Sequence, residues 1–148
     1  GTENVPGIVG FSKALNLANE EKNNFNVHCK KLTEELKLKL KNLKYEHTII
    51  TPNENALSNI LNVCFKGFEG EPILIGLDMA GIFASSGSAC SSASLEPSHV
   101  LVSMGIDPKL AIGSIRFSFS YENTSEEVEF LINSLESVLS ELSILAQT

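Results

Sequence analysis

Cys90 stands in the segment Ser85-Ser86-Gly87-Ser88-Ala89-Cys90-Ser91-Ser92-Ala93-Ser94, ten residues without one large apolar side chain. Cysteines in folded proteins are among the most buried residues, so a thiol set among serines, alanines and a glycine reads as exposed on a loop. A free thiol has a pKa of about 8.5, which leaves a few per cent as thiolate near neutrality. Thiolate is the species that attacks carbon or sulfur. The small neighbours leave its path open and predict a mobile loop, as suits a nucleophile that must reach a substrate and then leave carrying a group. A free surface cysteine on a linker fits the same residues.

Arg116 is the only arginine, the other ten basic residues being lysines. Its planar fork suits a carboxylate or phosphate, and its strand follows the cysteine loop closely enough to face the same cleft. The competing reading is a salt bridge to one of the eighteen acidic residues. His99 falls just after the loop, where a Cys-His pair is conceivable but has no support from spacing. Cys29 and Cys64 lie in apolar patterns and read as core; His28 and His47 read as surface. No cysteine has a histidine or second cysteine at ligand spacing, so no metal site is expected. An odd count of three cysteines argues against a disulfide framework and fits a reducing compartment, the cytoplasm or an organellar matrix.

These residues need a scaffold, and 148 residues with 43% hydrophobic and 20% charged side chains predict one globular domain over 1–148. A net charge of −7 disfavours nucleic acid. The lysines from Lys30 to Lys44 share a helical pattern with Glu34 and Glu35 and read as a solvated face. The longest apolar stretch is interrupted by Asp78, and no signal pattern opens the chain, so no membrane segment is expected. Gly1 comes first and the only methionines are Met79 and Met104, which suggests a piece of a longer polypeptide.

Val5, Ile8, Val9, Leu15 and Ala18, then Phe25, Cys29, Leu32, Leu36, Leu40 and Leu43, predict one long helix or two with a break at Asn23-Asn24. Thr48-Ile49-Ile50 and Ile60 to Phe65 read as strands. A helix from Glu71-Pro72 through Ala80 ends at Gly81. Ser94 or Glu96 can cap a helix starting at Pro97 and ending near Met104-Gly105. Ile115, Phe117 and Phe119 alternate with Ser114, Arg116 and Ser118, a strand with one wet face. Val128, Leu131, Ile132, Leu135, Val138, Leu139, Leu142 and Leu145 form a helical stripe behind a Thr124/Glu127 capping box. The expected fold is an α+β two-layer domain, a small and mostly antiparallel sheet packed by long N- and C-terminal helices.

Ser85-Ser86-Gly87-Ser88-Ala89-Cys90, Ser92-Ala93-Ser94-Leu95-Glu96-Pro97-Ser98-His99-Val100-Leu101 and Ser114-Ile115-Arg116-Phe117-Ser118 closely resemble the C-terminal part of NifS/IscS-type cysteine desulfurases. These are pyridoxal-phosphate enzymes related to class V aminotransferases. The opening Gly1-Thr2-Glu3-Asn4-Val5-Pro6-Gly7-Ile8-Val9-Gly10 resembles the stretch leading into that family's small domain, so the match runs from end to end.

The resemblance implies the small domain of a fold type I pyridoxal-phosphate transferase. Cys90 matches the cysteine that takes sulfur from L-cysteine as a persulfide, releasing L-alanine. Arg116 matches the residue that holds the substrate carboxylate, and Thr2 a threonine that reaches the cofactor phosphate of the other subunit of a homodimer. Acceptors such as iron-sulfur scaffold proteins then take the sulfur. No lysine here matches the context of the cofactor lysine, so the large domain is expected to be absent from these residues, and the isolated chain to bind pyridoxal phosphate weakly or not at all and to lack turnover. The alternative is a non-catalytic module that carries persulfide or docks an iron-sulfur scaffold.

Overall fold

The computed structural model describes residues 1–86 and 97–145. Helix α1 (Val5–Leu40) opens on Asn4, whose side chain accepts the Gly7 N–H, with Pro6 in the first turn where its missing N–H costs nothing. It is one unbroken helix through Asn23-Asn24. Strands β1 (His47–Ile49) and β2 (Ile60–Phe65) form a hairpin, followed by α2 (Gly70–Met79). Gly81, at φ +81°, ends that helix in the left-handed conformation glycine tolerates. Strand β3 (Ser85–Ser86), short helices α3 (His99–Ser103) and α4 (Pro108–Ala111), strand β4 (Ser114–Ser118) and helix α5 (Ser125–Leu145) complete the order.

The four strands make one antiparallel sheet in the order β1-β2-β4-β3. One face is sealed: Leu61, Val63, Phe65, Ile115 and Phe117 pack with Cys29, Leu32, Leu36 and Leu40 of α1, Ile73 and Leu77 of α2, and Val128, Leu131, Leu135 and Leu139 of α5. This is the expected two-layer α+β domain. Among the described residues, the second face is covered at one end, where Cys64 packs with Leu101 and Ala111, flanked by Ile50, Ile106 and Leu110. Gly113 lets β4 enter the sheet, since a Cβ there would meet the Phe65 carbonyl oxygen at 2.3 Å.

Several expectations change. Only the C-terminal part of α1 joins the core. Residues 5 to 24 are exposed, including Val5, Ile8, Val9, Phe11, Leu15 and Leu17, because the helix runs past the end of the sheet it packs on. Ser85 and Ser86, read as loop, form an edge strand, because backbone pairing with Arg116 and Ile115 needs no apolar side chain. The helix expected from Pro97 begins at His99, since Ser98 is extended at φ −53°, ψ 120°, and its side chain makes no capping bond. Ser94 and Glu96 lie outside the described residues. Helix α4 was not anticipated, although Asp107-Pro108 carries its signal: the Asp107 carboxylate accepts the Lys109 N–H at 2.7 Å and Pro108 opens the first turn. His28 and His47 are half-buried, each ring bonded to a backbone carbonyl, of Asn123 at 3.0 Å and of Tyr45 at 2.8 Å.

Candidate functional site

Side chains alternate along β4, so burying Ile115 and Phe117 turns Ser114, Arg116 and Ser118 to the opposite face. Pairing then decides what stands beside the guanidinium. Arg116 is directly opposite Asn62 on β2 and Ser85 on β3, and directly paired residues share a face. The Asn62 side chain bonds Ser114 Oγ through Nδ2 at 3.0 Å and Oδ1 at 3.2 Å. One step along, Cys64 is opposite Ser114, and beyond it the sheet disappears under α3 and α4. Among the described residues, Arg116 therefore occupies the uncovered part of this face.

Arg116 is half-buried, and among the described residues its guanidinium has no ion pair and no hydrogen bond. The five ion pairs found among the described residues join lysines to glutamates elsewhere. A partly desolvated cation without a counter-charge is costly. An arriving carboxylate offsets that cost through two parallel N–H···O bonds.

The other candidates are distributed unevenly. Cys90 lies outside the described residues. The described residues on either side of it are Ser86, paired with Arg116's strand neighbour Ile115, and Pro97. Ser86 precedes Cys90 by four residues, so chain length alone keeps their Cα atoms within about 14 Å. His99 is exposed at the start of α3, and Ser98 beside it has a buried hydroxyl with no partner among the described residues. Thr2 is exposed ahead of α1; with about 36 Å of helix between Val5 and Cys29, the fold does not bring it to Arg116. Burial raises the Cys29 and Cys64 thiols above their ordinary value, a Ser114 hydrogen bond partly opposing the shift at Cys64, so both read as packing residues. Among the described residues no group of three or more His, Cys, Asp or Glu could hold a metal, and no helix is long and apolar enough to cross a membrane. Sequence reasoning missed Asn62 and Ser85, because only strand register brings them to Arg116.

Comparison with known proteins agrees with this architecture. The family described as aminotransferase class-V matches residues 1–131. A cysteine desulfurase of Gluconacetobacter diazotrophicus is 43% identical over 96% of this chain and 36% of its own length. The cysteine desulfurase IscS of Methanosarcina thermophila is 42% identical over 96% of this chain and 35% of its own. A solved NifS-like protein from Rickettsia africae superimposes with a TM-score of 0.81 at 34% identity, over 95% of this chain and 36% of that one. The chain thus spans about a third of the length of these relatives.

The family implies pyridoxal phosphate in the full-length enzymes. The described residues do not fit that cofactor by themselves: the open face around Arg116 presents Ile60, Asn62, Ser114, Ser118 and Ser85, with no lysine to bond it and no acid to meet a ring nitrogen. In fold and in sequence, the chain belongs to the aminotransferase class-V family.

Proposed function

We propose that this chain is the substrate-carboxylate-binding and sulfur-carrying part of a cysteine desulfurase, one that converts L-cysteine to L-alanine. The observation that carries the reading is the half-buried Arg116, which has no ion pair or hydrogen bond among the described residues and lies on the strand paired with Ser85 and Ser86, the last described residues before Cys90. Arg116 binds the carboxylate and so fixes the position of the substrate sulfur. The Cys90 thiolate attacks that sulfur. An S–S bond forms as the substrate C–S bond breaks; the C–S electron pair stays on carbon and takes up a proton, leaving alanine and a Cys90 persulfide. The thiol sulfur is oxidised and the substrate carbon reduced, so no outside oxidant is needed.

Breaking that bond calls for an electron sink, which pyridoxal phosphate supplies in such enzymes, held in this reading by the remainder of a longer protein. The exposed apolar side chains on residues 5 to 24 of α1 give that remainder a surface to cover. Thr2, at the far end of the same helix, is free to meet the cofactor phosphate of a second subunit in a homodimer. An iron-sulfur scaffold or another acceptor thiol then takes the persulfide sulfur. The alternative, a carrier or docking module without chemistry of its own, also uses Cys90 but gives Arg116 nothing to do.

The test is alanine release from L-cysteine by the full-length protein. Cys90→Ser is expected to abolish turnover while cysteine still binds, and Arg116→Ala to raise KM by about a hundredfold, as suits the loss of a charge-assisted pair. Undiminished turnover by Cys90→Ser overturns the proposal.

A further inference from the structure

The pairing that places Arg116 also places two side chains that the proposed reaction has not used. We propose that Asn62 and Ser85 complete a carboxylate cradle with Arg116, and thereby set the preference for an amino acid over the same molecule without its carboxylate. The inference rests on the desulfurase reading and deepens it.

Asn62, Arg116 and Ser85 form one row across β2, β4 and β3, each directly opposite the next. Direct opposition puts neighbouring Cβ atoms about 4.5 to 5.5 Å apart on a common face. A carboxylate has two oxygens with roughly four acceptor sites, of which the guanidinium fork fills two. The other two need donors from the sides. The Asn62 amide has two N–H groups, and its bond to Ser114 Oγ uses one, so the second remains to donate. The same bond pins the amide in place. On the other side, the half-buried Ser85 hydroxyl has no hydrogen-bond partner among the described residues.

The adjoining positions on this face support the same conclusion. Ile60 and Ser118 pair on one side of the row and Cys64 and Ser114 on the other, so among the described residues no acid stands beside the guanidinium in the sheet. A packing role for Asn62 would need only its bonds to Ser114. It would leave unexplained why a β3 hydroxyl without a partner among the described residues stands directly opposite the one arginine in the chain.

The experiment compares two ligands on the full-length enzyme, KM for L-cysteine and the inhibition constant of 2-aminoethanethiol, which keeps the amine and thiol but has no carboxylate. Ser85→Ala is expected to raise KM about tenfold, the scale of one hydrogen bond to a charged group, with kcat within about threefold and the inhibition constant within about twofold. Ser85→Thr, which keeps the hydroxyl, should restore KM. Asn62→Asp should raise KM further than Ser85→Ala, since a carboxylate beside Arg116 takes its fork and repels the substrate. If Ser85→Ala and Asn62→Asp leave KM unchanged, or weaken both ligands equally, the cradle is overturned. If the unaltered enzyme releases no alanine, the functional reading fails instead.

Discussion

The two faces of β2 and β4 differ by one residue in phase and by almost everything in chemistry. Leu61, Val63, Phe65, Ile115 and Phe117 turn inward and are between 0 and 4% exposed. Asn62, Cys64, Ser114 and Arg116 turn outward, and among the described residues only the end carrying Cys64 is roofed, by α3 and α4. Alternation binds the two sets together, because slipping β4 by one residue would send the guanidinium into the core and Ile115 out to the solvent. The inner face thus does more than stabilise. Its burial fixes which way Arg116 points, and strand register fixes Asn62 and Ser85 on either side of it.

The largest effect expected from this contrast is on the inner face. Phe65 is fully buried in the core that three helices help to form, and Phe65→Ala should cost about 3 to 5 kcal/mol of stability, since the cavity adds to the lost transfer energy. A urea melt of the chain measures it. A loss under about 1 kcal/mol would mean that the two faces are not so unequal.

Much of this was legible before the fold was seen, and the reason is range. The Thr124/Glu127 cap forms as expected: the Thr124 N–H donates to Glu127 Oε2 at 3.0 Å, and the Glu127 N–H to Thr124 Oγ1 at 3.3 Å. It needs only residues three apart. β2 could be read from its own alternation, and Arg116 from its solitude on a wet strand face. β3 could not, because Ser85-Ser86 has no strand propensity and exists through its pairing with a segment thirty residues away. The exposed half of α1 also misled: apolar spacing tells which side of a helix is sticky, not what covers it. Asn62 showed only as the polar break in an apolar run, with nothing local to link it to Arg116.

An intermediate effect belongs to Cys64, which faces outward yet lies under the α3/α4 roof, with a thiol raised by burial, as Cys29's is. A thiol held protonated in the fold adds nothing at neutral pH. Above the ordinary thiol range, the unfolded chain releases a proton the folded one keeps, so stability falls as pH rises. The urea midpoint should therefore drop between about pH 8 and about pH 10. Cys64→Ala, at a cost of about 1 kcal/mol, should remove part of that slope. An unchanged slope would show that the roofed end is as open as the end carrying Arg116.

The smallest expected effect separates the faces most sharply. Arg116 sits in the middle of the central pair of strands, where a side chain is ordinarily missed when it is removed. Its guanidinium has no partner among the described residues, so Arg116→Gln takes away no ion pair and relieves a half-desolvated charge. Against that stands only the loss of contacts along its aliphatic stem. The two nearly cancel, and the urea midpoint should stay within the equivalent of about 0.5 kcal/mol. A loss above about 2 kcal/mol would reveal the guanidinium as a structural clamp and return the outer face to the scaffold. A neutral result, set beside the expected collapse of cysteine binding in the full-length enzyme, identifies Arg116 as a residue the fold positions but does not lean on.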